Sequence, residues 1–149
     1  MTVMDEREAA ARLFHALDEV ADVAEALPRN DVAVSRLELA LAELLNGQAP
    51  IRPVVAADLL AMSEKTVRNW AAHGLLITVA SPRRLLLDPA RVFEVHRLVD
   101  ELRAAGAARE LLDAIWHRLS DKSLLERDDL RASLEQMRQG RGRKVRGTS

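Results

Sequence analysis

Apolar residues along this chain fall mainly at helical spacing. Ala10, Leu13, Phe14, Leu17, Val20, Ala21, Ala24 and Leu27 recur three and four apart, so the pattern predicts an amphipathic helix over Asp5 to Leu27. Thr2, three residues before Asp5, has the arrangement of a capping box, and Pro28 stops the helix. A second helix starts on a cap at Asn30 or Asp31 and carries Val34, Leu37, Leu41, Leu44 and Leu45. Asn46-Gly47 is the expected left-handed stop. Together these make an N-terminal helical hairpin over residues 1–49. Gln48 to Pro53 contains two prolines and reads as a linker.

The middle of the chain has shorter periods. Val54 to Met62 reads as a short apolar helix, and Ser63 as the cap of another that runs to His73 and stops at Gly74. Leu75 to Val79 and Arg84 to Leu87 flank Ser81-Pro82-Arg83 and predict one β hairpin. Asp88-Pro89 then opens a helix bearing Val92, Phe93, Val95, Val99 and Leu102, ending at Gly106. Beyond it the pattern predicts helices over 107–119 and 121–139, the second broken near Arg127-Asp128. A basic, unpatterned tail, expected to be disordered, occupies 140–149. The expected fold class is therefore mainly α, with one small two-stranded hairpin and helical hairpins on either side.

Composition sharpens this. Apolar residues are 48% of the 149, enough for a core, and aromatics only 3%, which disfavours a sheet-rich fold. Cysteine is absent, excluding disulfides, thiolate-bound zinc and cysteine catalysis. No secretory signal or membrane span is visible, so a cytoplasmic protein without membrane contact is expected. The formal net charge of −1 conceals strong segregation. Residues 1–50 carry 4 basic and 10 acidic groups, 51–97 carry 7 and 4, 98–137 carry 6 and 9, and the tail from 138 carries 5 basic and none acidic. Local positive charge, not the total, is what attracts phosphate.

The chemistry concentrates in VVAADLLAMSEKTVRNWAAHGLLITVASPRRLLLDPARV. Val55, Leu59 and Leu60 give the first short helix an apolar stripe, while Val67 and Trp70, three apart, give the second one a stripe to pack on it. Ala56 and Ala57 permit close approach. Glu64, Lys65, Thr66, Arg68 and Asn69 are left outward. Arg suits guanine, Asn suits adenine, and Lys and Thr serve bases or phosphates. Arg83 and Arg84 sit at the hairpin tip, and Arg91 begins the next helix, all suited to backbone contacts.

Helix, Ser-x-x-Thr-Val-Arg-x-Trp helix, Gly-Leu-Leu, short wing and Asp-x-x-Val helix, over Arg52 to Gly106, together resemble the MerR/excisionase type of winged helix-turn-helix. The resemblance implies a DNA-binding domain over residues 50–106 in which the Ser63 helix enters the major groove. It implies DNA contacts from Lys65, Thr66, Arg68 and Asn69 and wing contacts from Arg83 and Arg84; Ser63 at the helix start and Arg91 nearby are expected to join them. The chain departs from full-length MerR regulators in lacking their cysteine metal site and in stopping the post-wing helix at Gly106, so metal or drug sensing is not implied.

The stretch LLERDDLRASLEQMRQGRGRKVR, from Leu124, is similar to the C-terminal segments of some bacterial type II antitoxins. It implies a toxin-binding surface at Leu124, Leu130, Leu134 and Met137 within residues 107–139. The combined expectation is an autorepressing antitoxin acting as a homodimer on double-stranded DNA, with a protein toxin as partner. No cofactor, no metal and no enzymatic activity are expected: there is no phosphate loop, nucleophile elbow or HExxH. Two alternatives stay open, an excisionase-like recombination directionality factor and a helical protein-interaction adaptor. His15, His73, His96 and His117 read as scattered. Asp18, Glu19, Asp22 and Glu25 read as a solvated acidic face.

Overall fold

The computed structural model of the chain describes residues 2–106 and 110–121. The architecture is mainly helical with one two-stranded antiparallel sheet: α1 (Val3–Ala26), α2 (Val32–Asn46), α3 (Pro53–Leu60), α4 (Glu64–Ala72), β1 (Thr78–Val79), β2 (Leu86–Leu87) and α5 (Pro89–Ala104). Residues 111–121 are helical as well. The described residues up to Leu112 lie in one compact unit, and those from Asp113 belong to a second. No helix among the described residues is long and apolar enough to cross a membrane. The expectations from Lys122 onward, including the helix to 139, Leu124, Leu130, Leu134, Met137 and the basic tail, lie outside the described residues.

Local chemistry sets the helix ends. Thr2 Oγ1 accepts from the Asp5 amide and Asp5 Oδ2 accepts from the Thr2 amide, a reciprocal capping box. The backbone and hydroxyl donors of Thr2 hold the Asp5 carboxyl below its ordinary range. Asp31, not Asn30, caps α2, its carboxylate accepting from the Ala33 amide. Gly47 differs from expectation: its φ is −81°, not left-handed. The carbonyls at this end are met instead by Gln48, whose amide donates to Leu45 and whose side chain donates to Leu44.

α3 starts one residue earlier than its apolar pattern predicts because Pro53 occupies the first turn, where a missing N–H costs nothing. It ends in a Schellman arrangement, with the Met62 amide on the Ala57 carbonyl at 3.0 Å and the Ala61 amide on Asp58 at 3.2 Å. Ala61 sits at φ 52°, ψ 50°. A Cβ in this left-handed region clashes with the following carbonyl. We therefore expect Ala61→Gly to raise stability by about 0.5–1 kcal/mol in urea denaturation; a loss of stability would show that the turn is not held left-handed.

α4 ends the same way one element later. The Leu75 amide reaches the Trp70 carbonyl at 3.0 Å and the Gly74 amide reaches Ala71 at 3.1 Å, with Gly74 at φ 80°. This shortens the first expected strand. Leu75 and Leu76 are fully buried as part of the helix stop, and pairing begins only at Thr78 opposite Leu87 and Val79 opposite Leu86. The other strand is shorter too, so Arg84 lies in the connection and not in β2.

The stretch read as a linker is tied in. Ile51 is buried and exchanges backbone hydrogen bonds with Leu87 at 2.9 and 2.8 Å, a bridge beside the hairpin. The core joins Phe14 and Leu17 of α1, Val55 and Leu60 of α3, Val67 and Trp70 of α4, and Val92, Val95 and Val99 of α5. The N-terminal hairpin thus shares a core with the middle of the chain: α1 packs on α3, and α2 on α5. Phe14 meets Phe93 edge-to-face at 5.3 Å, a favoured aromatic geometry.

Candidate nucleic-acid interface

α3 and α4 are two short helices joined through the three residues Ala61, Met62 and Ser63, and they pack on each other. Val67 and Trp70, at 0% and 4% exposure, lock α4 inward. Lys65, Arg68, Asn69 and Ala72, spaced i, i+3, i+4 and i+7, form the opposite stripe, and all four are exposed. The sequence pattern produces this division directly, because Val67 and Trp70 are the only large apolar residues in α4.

The expected contact residues differ in their availability. Ser63 caps α4 by accepting from the Thr66 amide at 3.1 Å, and its hydroxyl lies 2.8 Å from the Thr66 hydroxyl. Thr66 is half-buried, so both groups are engaged in shaping the helix start. Arg68 donates to Glu64 Oε1 at 3.1 Å, an exposed i, i+4 pair worth only about 0.3–0.5 kcal/mol and easily exchanged for a stronger partner. The Lys65 ammonium and the Asn69 carboxamide make no side-chain hydrogen bond or ion pair among the described residues.

Arg83 and Arg84 are exposed in the connection between β1 and β2. Arg84, however, lines a cavity of about 520 Å³ with Phe14, Ile51, Arg52, Val55 and Pro89, so its side chain borders the α1 side of the hairpin. Arg91 is half-buried in the first turn of α5, where its amide donates to the Asp88 cap.

Three positioning groups were not singled out from the sequence. Arg103 reaches from α5 and donates to the carbonyls of Leu60 at 2.9 Å and Ala61 at 3.0 Å, at the turn between α3 and α4. His96 Nδ1 lies 3.1 Å from the neighbouring Leu59 carbonyl. Arg97 spans Asp18, Asp22 and Glu25 at 3.2, 2.8 and 2.9 Å, so the acidic face of α1 is partly an inter-helix contact and not merely solvated. Burial works against the Arg97 charge, but these three carboxylates outweigh it and raise its pKa further above the ordinary arginine value.

No protein-family model, curated protein or solved structure matches this chain.

Proposed function

We propose that the chain is a sequence-specific DNA-binding regulator of the winged helix-turn-helix type, with α4 entering the major groove. The observation that carries the reading is the outward stripe Lys65, Arg68 and Asn69, set opposite the locked pair Val67 and Trp70. That division gives a rigid helix with base-reading groups on its free face. The turn between the helices, clamped by Arg103, supports a fixed recognition angle. Arg83, exposed in the hairpin connection, fits a phosphate contact that fixes register without reading sequence, whereas Arg84 on the α1 side and half-buried Arg91 must turn outward to join it.

One such module reads few bases, which favours a homodimer on a repeated site. Val32 and Leu39 of α2, 73% and 65% exposed, are apolar positions suited to a protein contact. In the fuller form of the proposal the protein is an antitoxin-type autorepressor whose Leu-rich C-terminal segment, with Leu124, Leu130, Leu134 and Met137, covers a toxin.

The test is fluorescence anisotropy with the promoter fragment of the chain's own gene. Arg68→Ala is expected to weaken binding by about 1–3 kcal/mol. Unchanged affinity in a folded variant would remove α4 from the groove, and failure of the wild type to bind would favour the adaptor reading. Affinity capture from the native host separates a toxin partner from an integrase.

A further inference from the structure

A cluster between α1 and α5 has chemistry that DNA binding does not use. The His96 side chain is 12% exposed, and its ring packs beside Phe14 and Phe93, with centroids 5.5 and 5.9 Å away. Nδ1 lies 3.1 Å from the Leu59 carbonyl oxygen. Nε2 lies 2.8 Å from Asp18 Oδ2 and 3.5 Å from Asp100 Oδ2. Ligand atoms from these three side chains all fall within 4.8 Å of one another.

A neutral imidazole has one N–H. The Leu59 carbonyl beside Nδ1 only accepts, and the carboxylate oxygens beside Nε2 also only accept. Acceptor oxygens thus face both ring nitrogens, and one N–H can serve only one of them.

We propose that Asp18, His96 and Asp100 form a binding site for a divalent first-row transition-metal ion, with the metal in place of a proton at Nε2. Four features carry this. A ligating histidine characteristically donates its other N–H to a carbonyl or carboxylate, as Nδ1 is placed to do to Leu59. The other oxygen of Asp18 accepts from Arg97 at 3.2 Å, which orients the carboxylate as an outer-sphere partner does. His96 and Asp100 are four apart on α5 and face the same point. With metal–ligand bonds of about 2.0–2.2 Å in a tetrahedral site, neighbouring donors sit roughly 3.3–3.6 Å apart; the 3.5 Å pair already has that spacing, and the 2.8 Å pair has to open by about half an ångström to admit the ion. The imidazole nitrogen among the donors favours zinc, copper, iron or nickel over magnesium and calcium. The ion would tie α1 to α5 and, through Leu59, brace the end of α3.

The rival is an imidazolium–carboxylate pair, with a second proton in place of the metal. The experiment uses the full chain after chelator treatment, titrated with Zn²⁺ by calorimetry and with Co²⁺ by visible absorption. The test variant is Asp100→Asn, because the Asp100 side chain is 60% exposed and takes no part in the Arg97 cluster. The expected result is single-site binding, weakened at least about tenfold in Asp100→Asn, a loss typical even of an outer-sphere partner. Zn²⁺ should raise the Tm of the wild type more than that of the variant. No Zn²⁺ heat and no Co²⁺ spectrum in the wild type would overturn the proposal in favour of the ion pair. Equal affinity in wild type and Asp100→Asn would also overturn it, by placing the ion at another histidine. Neither outcome depends on whether the chain binds DNA.

Discussion

Trp70→Ala is expected to cost about 3–5 kcal/mol of unfolding free energy, the range for deleting a buried aromatic side chain. Domain stability is typically about 5–15 kcal/mol, so this one change removes a large share of it. Trp70 is 4% exposed, and its backbone carbonyl also receives the Leu75 and Leu76 amides at 3.0 and 3.4 Å. The side chain therefore fills the core at the same residue where the backbone turns out of α4 towards β1. Truncation leaves a cavity beneath the helix and frees the inward side of a nine-residue element whose outward side is polar. Urea denaturation measures the loss, and Trp70→Phe should retain part of it by refilling the space. If α4 reads DNA as proposed, DNA affinity, measured at a temperature where the variant remains folded, should fall too, since α4 would no longer hold one angle. A loss under about 1 kcal/mol would mean that Trp70 is not the anchor of α4.

How far such residues are readable in advance depends on how far away their partners lie. The Thr2 box, the Ser63 and Asp88 caps and the Gly74 stop involve atoms at most five residues apart, and each is legible from residue type and spacing alone. The same holds for the outward stripe of α4, because helical geometry fixes Lys65, Arg68 and Asn69 opposite Val67 and Trp70. The hairpin was legible in kind but not in extent. Leu75 and Leu76 have the apolar character of a strand, yet the Schellman stop of α4 claims them first. The Arg103 clamp, the contacts of His96 with Leu59 and Asp18, and the Arg97 bridge join residues 37 to 79 apart, and no local period encodes such pairings. The spacing of Asp18, Asp22 and Glu25 reveals one acidic face of α1. It does not reveal that Arg97 stands opposite. A buried Ile51 within a proline-flanked stretch is a similar case, since its bridge to Leu87 exists only once the hairpin has formed.

Arg103 is where that long-range information bears most directly on the proposed interface. α3 is only eight residues long, and its first residue has no side-chain cap, so its stability rests on packing and on its C-terminal end. There the Arg103 guanidinium places one nitrogen on each of two consecutive carbonyls, Leu60 and Ala61, at the negative end of the helix dipole. Hydrogen bonds involving a charged group contribute about 1.5–3 kcal/mol, so Arg103→Met, which keeps the apolar stem, is expected to lose about that much. Arg103→Lys should recover only part of it, because an ammonium cannot supply two parallel donors from a rigid plane. Global stability alone would not distinguish a clamp from generic packing. Amide exchange does: in Arg103→Met the amides of Ala61 and Met62, which close the Schellman turn, should exchange faster relative to those of α1. If Arg103 sets the angle between α3 and α4, DNA affinity should fall along with that local protection. Unchanged exchange at Ala61 and Met62, with stability lost uniformly, would reduce Arg103 to an ordinary packing residue and leave the turn to be held by its own backbone bonds.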